Sequence, residues 1–174
     1  MMLRKAALSD LDGVEEAYRE HFAHEKQYGA YTVFQEGIYP TRQVAENAMQ
    51  NGSLYVCEEN DVILGSMILN EHQPDEYKKI NWQVTAENEK VRVLHLLMVR
   101  PNASGKGVGT SLVNYAIDIA KRQFCVTIRL DTGEQNVPAI SLYKKLGFQV
   151  AANIPMRVGG VIPHSHHLFF EKMI

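Results

Sequence analysis

The chain has 174 residues, of which 45% are hydrophobic and 22% charged, the proportions of an ordinary single-domain soluble globule. A formal net charge of -2 argues against nonspecific adhesion to nucleic acid or to an anionic membrane, and no stretch is apolar for long enough to span a bilayer. Residues 1–8 carry two basic side chains with no apolar run behind them, so no signal peptide is read there and the expected location is cytoplasmic.

Residues 3–8 suit a short first strand. Ser9, with Asp12 three positions on, makes a capping pair for a helix running to His21 or Phe22. His21 and His24 fit the exposed face of that helix better than a ligand pair. Tyr28, Tyr31, Phe34 and Tyr39 crowd a stretch without clear period, read as irregular or as a bent helix. Residues 41–50 predict a second helix, stopped at the Asn51-Gly52 turn. Residues 54–58 and 62–70 predict two strands of a hairpin around Glu59-Asn60-Asp61.

From 71 to 90 the chain is polar, interrupted by Trp82, and reads as a long connection. Residues 91–100 form a strong strand closed by Pro101. Gly105, Gly107 and Gly109 then lead into a helix with Val108, Leu112, Ala116, Ile119 and Ala120 at helical spacing. Residues 125–130 are another strand. Asn136 offers an N-cap with Pro138 in the first turn, Ala139, Leu142, Tyr143 and Leu146 form one stripe, and Gly147 supplies the stop. Residues 148–151 and 167–173 close the chain as strands. Cys57 and Cys125 sit in apolar, strand-like segments and read as reduced core residues. No repeat or linker divides the sequence, so residues 1–174 are expected to form one α+β domain, a mixed sheet with helices on its faces.

The glycine turn invites a phosphate reading, because a helix start leaves N–H groups idle and carries the positive end of the helix dipole. A nucleoside-triphosphate loop needs Ser or Thr directly after its lysine, whereas Lys106 precedes Gly107. The dinucleotide spacing G-x-G-x-x-G is also absent.

The stretch from Met98 to Tyr115 instead resembles motif A of the GCN5-related N-acetyltransferases, Q/R-x-x-G-x-G/A after a strand. Ser104, Gly107 and Gly109 stand at its positions, with Val99 and Pro101 upstream. Downstream, Asn136, Ala139, Leu142, Tyr143 and Leu146-Gly147-Phe148 resemble that family's N-x-x-A-x-x-L-Y-x-x-x-G-F signature. Ser104 departs from the usual Gln or Arg, so Lys106 and its neighbours must help to meet phosphate charge. The resemblance implies a mostly antiparallel central sheet with helices on both faces, an α/β/α sandwich. It implies acetyl-CoA as co-substrate and no metal. Main-chain amides of Ser104, Gly105, Lys106, Gly107, Val108, Gly109 and Thr110 would grip the diphosphate. The pantetheine arm would run as an extra strand along Leu97, Met98 and Val99, with the Leu97 N–H a candidate for the thioester oxygen and Asn136 a further partner. Homodimers are common among such relatives.

Acetyl transfer to an amine needs a bound thioester, a neutral amine, a stabilised oxyanion and a proton for the departing sulfur. Tyr143 is the expected acid, since a phenol is protonated at neutral pH. His95 is the first candidate base; strand alternation puts it on one face with Leu97 and Val99. Asp131, just past a strand end, is the second, and Glu71 and His72 are weaker candidates for the pocket lining. His164, His166 and His167 raise a metal reading, but adjacent strand residues face opposite ways and no carboxylate or cysteine lies near in sequence, so an exposed loop or pocket rim is expected. The expected function is direct acetylation of a primary amine, that of a small metabolite. The competing readings are an inactive CoA-binding sensor and a peptide N-terminal acetyltransferase.

Overall fold

Seven strands and four helices sort their apolar residues onto the two faces of one sheet. The structure, a computed structural model describing all 174 residues, runs β1 (Met2–Lys5), α1 (Leu11–Tyr28), α2 (Arg42–Gln50), β2 (Leu54–Glu59), β3 (Val62–Asn70), β4 (Val91–Val99), α3 (Val108–Arg122), β5 (Thr127–Gly133), α4 (Val137–Lys145), β6 (Gln149–Val158) and β7 (Ile162–Met173). The strand order is β1-β2-β3-β4-β5-β7-β6. All neighbours are antiparallel except β4 and β5, whose parallel pairing requires the crossover that α3 provides. The element order and the mostly antiparallel sandwich are those expected from the sequence.

On one face, the stripe of α3 (Leu112, Ala116, Ala120) meets Leu94, Leu130 and Phe170, with Tyr143 of α4 completing the cluster. On the other, Leu11, Val14 and Tyr18 of α1 and Ala45 of α2 lie on Leu54, Val56, Ile68 and Met98. The connection from 71 to 90 covers the rest of that second face, burying Tyr77 and Ile80 against Val91, Val93 and Phe169.

Three elements differ from expectation. The chain enters α1 through a short turn, Leu8–Asp10, where the Asp10 carboxylate takes the Ala7 N–H at 2.7 Å; Ser9 caps nothing. Arg4 fixes Asp10 in that role through contacts of 2.6 and 2.9 Å. Helix α1 also continues to Tyr28 and ends at Gly29, φ 103°. Its last inward residue is the buried Glu25, which accepts from the N–H groups of Tyr31 and Thr32, so a polar side chain hides the final helical turn from a hydrophobic period.

The closing strands are a long hairpin of 10 and 12 residues that reverses at Gly159 and Gly160, both with positive φ. Pro155 and the polar residues around it conceal β6. Proline is tolerated there because β6 is an edge strand and its register shifts between Ile154 and Met156.

The sheet meets the start of α3 through a missing side chain. A Cβ on Gly65 would lie 2.8 Å from the Met98 carbonyl oxygen and 3.1 Å from Val108 Cγ1. Gly65→Ala is therefore expected to lower the unfolding free energy by about 1–3 kcal/mol in a urea titration. An unchanged midpoint would contradict this packing.

Candidate active site

Strand β4 does not alternate along its whole length. Ile68 of β3 lies opposite His95 and Ser66 opposite Met98, so Leu96 and Leu97 together oppose Met67. This is a β-bulge, and Leu96 within it carries a left-handed φ of 48°. The extra residue resets the faces. His95 and Leu96 both open onto the α1/α2 side, while Leu97 and Val99 pack under α3. His95 thus does not share a face with Leu97 and Val99, because the alternation argument fails across a bulge.

The opposite edge of β4 parts from β5 at the same level. The two strands pair only from Val91–Thr127 to Leu94–Leu130. Beyond that, β5 stays with β7, setting Asp131 opposite Phe169 and Gly133 opposite His167. The main chain from His95 to Val99 consequently has no strand partner on its β5 side. His95 and Asp131, each one step past the last pair, flank the mouth of this opening.

A cleft of about 660 Å³ begins there. His95, Asn70, His72 and Asp131 line its polar end, and Phe34 and Tyr39 contribute to the apolar wall. The Asp131 carboxylate accepts from the Tyr77 hydroxyl at 2.7 Å and lies 2.8 Å from His167 Nε2, whose Nδ1 meets His164 Nδ1 at 3.1 Å. Buried Tyr77 keeps its proton, its pKa driven well above the phenol range by burial and then by the Asp131 charge. His95 Nε2 lies 3.0 Å from Asn70 Oδ1. Burial lowers the His95 pKa to about 4 despite the opposing pull of Asp131.

His167 and His21 lie deeper than the sequence suggests, whereas His166 is exposed. His167 is buried, not at a rim, and the carboxylate that meets it comes from β5, far away in sequence. His164 and His167 face each other as hydrogen-bond partners. No group of three or more His, Cys, Asp or Glu side chains is arranged to hold a metal ion. His21 is buried rather than exposed, 3.2 Å from Thr32 Oγ1 and 3.4 Å from Glu25. Of the early aromatics, Phe34 and Tyr39 reach the cleft; Tyr31 packs on His21, and exposed Tyr28 packs on His24. Glu71 pairs with Arg92 at 3.2 Å, and Trp82 stacks on Arg129, 4.3 Å from its guanidinium carbon. Only His72 of that segment's two candidates enters the cleft.

On the α3 side, Gly105 (φ 76°) and Gly107 (φ 83°) carry the chain from Ser104 into the helix. A Cβ on either would meet nothing within 4 Å, whereas one on Gly109 would press on Leu142 Cδ2 at 3.2 Å. Gly105 and Gly107 thus serve the turn, and Gly109 also lets α3 approach α4. No N–H of Gly105, Gly107, Val108, Gly109 or Thr110 finds an acceptor within the protein, and Lys106 is exposed beside them. Asn136 caps α4 by accepting the Ala139 N–H at 3.3 Å, and it also lines the cleft. Tyr143 is buried between Phe148 and Phe170; burial first, then the Asp131 charge, pushes its pKa above the phenol range. Tyr77 and Asn70 were not singled out from sequence. Their partners lie 54 and 25 residues away, so no local spacing marks them.

Comparison with known proteins bears on this arrangement. The acetyltransferase (GNAT) family model matches residues 12–148. An uncharacterized N-acetyltransferase of Methanocaldococcus jannaschii is 28% identical over 84% of this chain, and the match spans 60% of that relative's own length. A GNAT-family acetyltransferase of Streptococcus agalactiae shares the fold with a TM-score of 0.83 at 20% identity, covering 99% of this chain and 95% of its own. The Salmonella typhimurium protein yncA, solved with its cofactor acetyl-CoA, gives 0.68 at 22% identity over 99% and 92% of the two chains.

The position of His95 has a consequence for stability. The folded chain keeps this ring neutral down to about pH 4, while the unfolded chain protonates it near 6.5. The unfolded state therefore binds the additional proton in that window, and stability falls as pH drops through it. His95→Gln is expected to show a shallower loss of thermal midpoint between pH 6.5 and 4 than the wild type. Parallel curves would contradict the assignment.

Proposed function

This chain belongs to the GNAT acetyltransferase family, and on that premise we propose that it transfers an acetyl group from acetyl-CoA directly to the primary amine of a small metabolite. The observation that carries the reading is the parting of β4 from β5, which leaves a strand-like edge from His95 to Val99 beside a turn rich in idle N–H groups. An anionic diphosphate suits that turn, because the free amides and the α3 dipole point positive charge at it. The open backbone at Gly105 and Gly107 admits a bulky group, and Lys106 supplies the charge that Ser104 does not. Acetyl-CoA would bring the activated thioester.

In this reading the amides of Gly105 and of Gly107 to Thr110 bind the diphosphate, those of Ser104 and Lys106 being given to Pro101 and Ala103 within the turn, and the main chain of Leu97, Met98 and Val99 aligns the pantetheine arm. The Leu97 N–H, set in the bulge, stabilises the negative oxygen of the tetrahedral intermediate. Asn136 spends its carbonyl oxygen on Ala139, which leaves its amide protons for the arm. Tyr143 keeps its proton at every physiological pH and delivers it to the departing sulfur. His95 enters the reaction neutral and accepts the proton that the attacking nitrogen releases. Both thiols are buried and their pKa values are pushed up by burial, so neither is suited to carry the acyl group, which favours direct attack. No helix is long and apolar enough to cross a membrane. A cytoplasmic location and a possible homodimer belong to the same proposal.

Thiol release from acetyl-CoA, followed across alkylamines and a peptide with a free N-terminus, tests the reading. Turnover is expected on alkylamines. Preference for the peptide would shift the assignment to protein N-termini, and CoA binding without turnover on any amine would favour a sensor. Tyr143→Phe is expected to lower kcat roughly 100-fold or more, with the KM for acetyl-CoA changed less than about threefold. Equal activity would remove the role given to Tyr143.

A further inference from the structure

Four charged side chains line the cleft besides its histidines: Asp75, Glu76, Asp131 and Arg157. Asp75 is paired with Lys78 at 2.8 Å, and Glu76 accepts the Arg157 main-chain N–H at 3.1 Å. Asp131 differs from both. Its side chain is only 13% exposed, and neither lysine nor arginine forms an ion pair with it. The donors that hold it are the Tyr77 hydroxyl on Oδ2 and the His167 ring on Oδ1.

That frame fixes the carboxylate and leaves part of it open. His167 turns Nε2 to Asp131 and Nδ1 to His164, so one of the two facing rings is the acceptor of the Nδ1–Nδ1 contact while the Nε2–H of His167 points at the carboxylate. A carboxylate has about four lone-pair sites, and the two donors use two of them. The remaining sites belong to a group that lines the cleft at the mouth of the β4–β5 opening. A largely buried carboxylate with no lysine or arginine beside it is poorly compensated, and a cationic ligand adds a charge-assisted hydrogen bond on binding.

We propose that Asp131 is the anchor for the acceptor's ammonium group, so that the cleft selects a primary ammonium on a compact apolar body over neutral molecules of the same shape. This deepens the transferase reading and rests on it for the word acceptor. Asp131 receives the cation where the thioester edge begins, one ammonium proton leaves to solvent through the open cleft before the nitrogen attacks, and the wall that includes Phe34 and Tyr39 takes the carbon body. His167, His164 and Tyr77 are positioning residues: they aim the carboxylate and do not touch the substrate.

Titration calorimetry with benzylammonium and its neutral isostere benzyl alcohol, without acetyl-CoA, tests the anchor. The wild type is expected to bind the ammonium at least about tenfold more tightly than the alcohol. Asp131→Asn should make the two affinities equal, while Asp75→Asn should keep the preference. Equal wild-type affinities, or a preference that survives in Asp131→Asn, would overturn the proposal. Should Asp131→Asn fail to fold, the wild-type pair of ligands still decides. An ammonium preference without acetylation of benzylamine or of any other amine in the panel would retire the transferase reading and leave the anchor standing. Acetylation of benzylamine without that preference would do the reverse.

Discussion

A single added residue in β4 organises the site. Up to Leu94 that strand is held on both edges, by β3 and by β5. At Leu96 the bulge makes two residues answer one on β3, and the strand turns away while β5 continues along β7. Because β-strands carry one donor and one acceptor per residue, strands that part leave those groups without partners. In most proteins such an edge is a liability. Here it lies inside the sheet, between two covered faces, where an extended ligand can complete the ladder without inviting another chain.

The surroundings of that opening divide by chemistry. Toward α3 and α4 lie apolar packing, the glycine turn and Tyr143, a setting suited to an extended arm and an anionic end. Toward α1 and the 71–90 connection lie His95, Asp131, His167 and Tyr77, a polar group inside an otherwise apolar layer. Burial acts on one imidazole and two phenols around the opening. It keeps His95 neutral and holds the protons of Tyr77 and Tyr143 in place. The polar frame is stable because its members satisfy one another: Asn70 serves His95, and Asp131 joins Tyr77 to His167.

The wall of the cleft has its own fastening. Glu25, buried at the end of α1, binds the N–H groups of Tyr31 and Thr32 and the Thr32 hydroxyl, with His21 close by. These contacts tie the segment after the helix to α1, and that segment brings Phe34 and Tyr39 over the sheet. The hairpin of β6 and β7 supports it from the other side, where the bare backbone of Gly159 accommodates the Tyr39 ring. The cleft is therefore shaped by loops secured through buried polar contacts rather than through apolar burial alone.

The order of strands and helices was legible because hydrophobic periods of 2 and 3.6 residues report directly on burial. The Asn136 cap and the glycine turn were equally plain, since each depends on local backbone geometry carried by one or two residue types. The failures have other causes. Ser9, the end of α1 and His21 differ from expectation where a polar side chain faces inward and its partner lies elsewhere, as Asp10 does for Arg4 and Glu25 for Thr32, and β6 differs because Pro155 and its exposed polar neighbours interrupt the alternation. His95 was put on the wrong face because Leu96 adopts a bulge that no residue type announces. The sequence by itself determined the order of strands and helices and which glycine-rich turn opens α3. Only the tertiary structure decided that β4 and β5 separate after Leu94 and that Asp131, His167 and Tyr77 meet, because these depend on pairings between residues far apart along the chain.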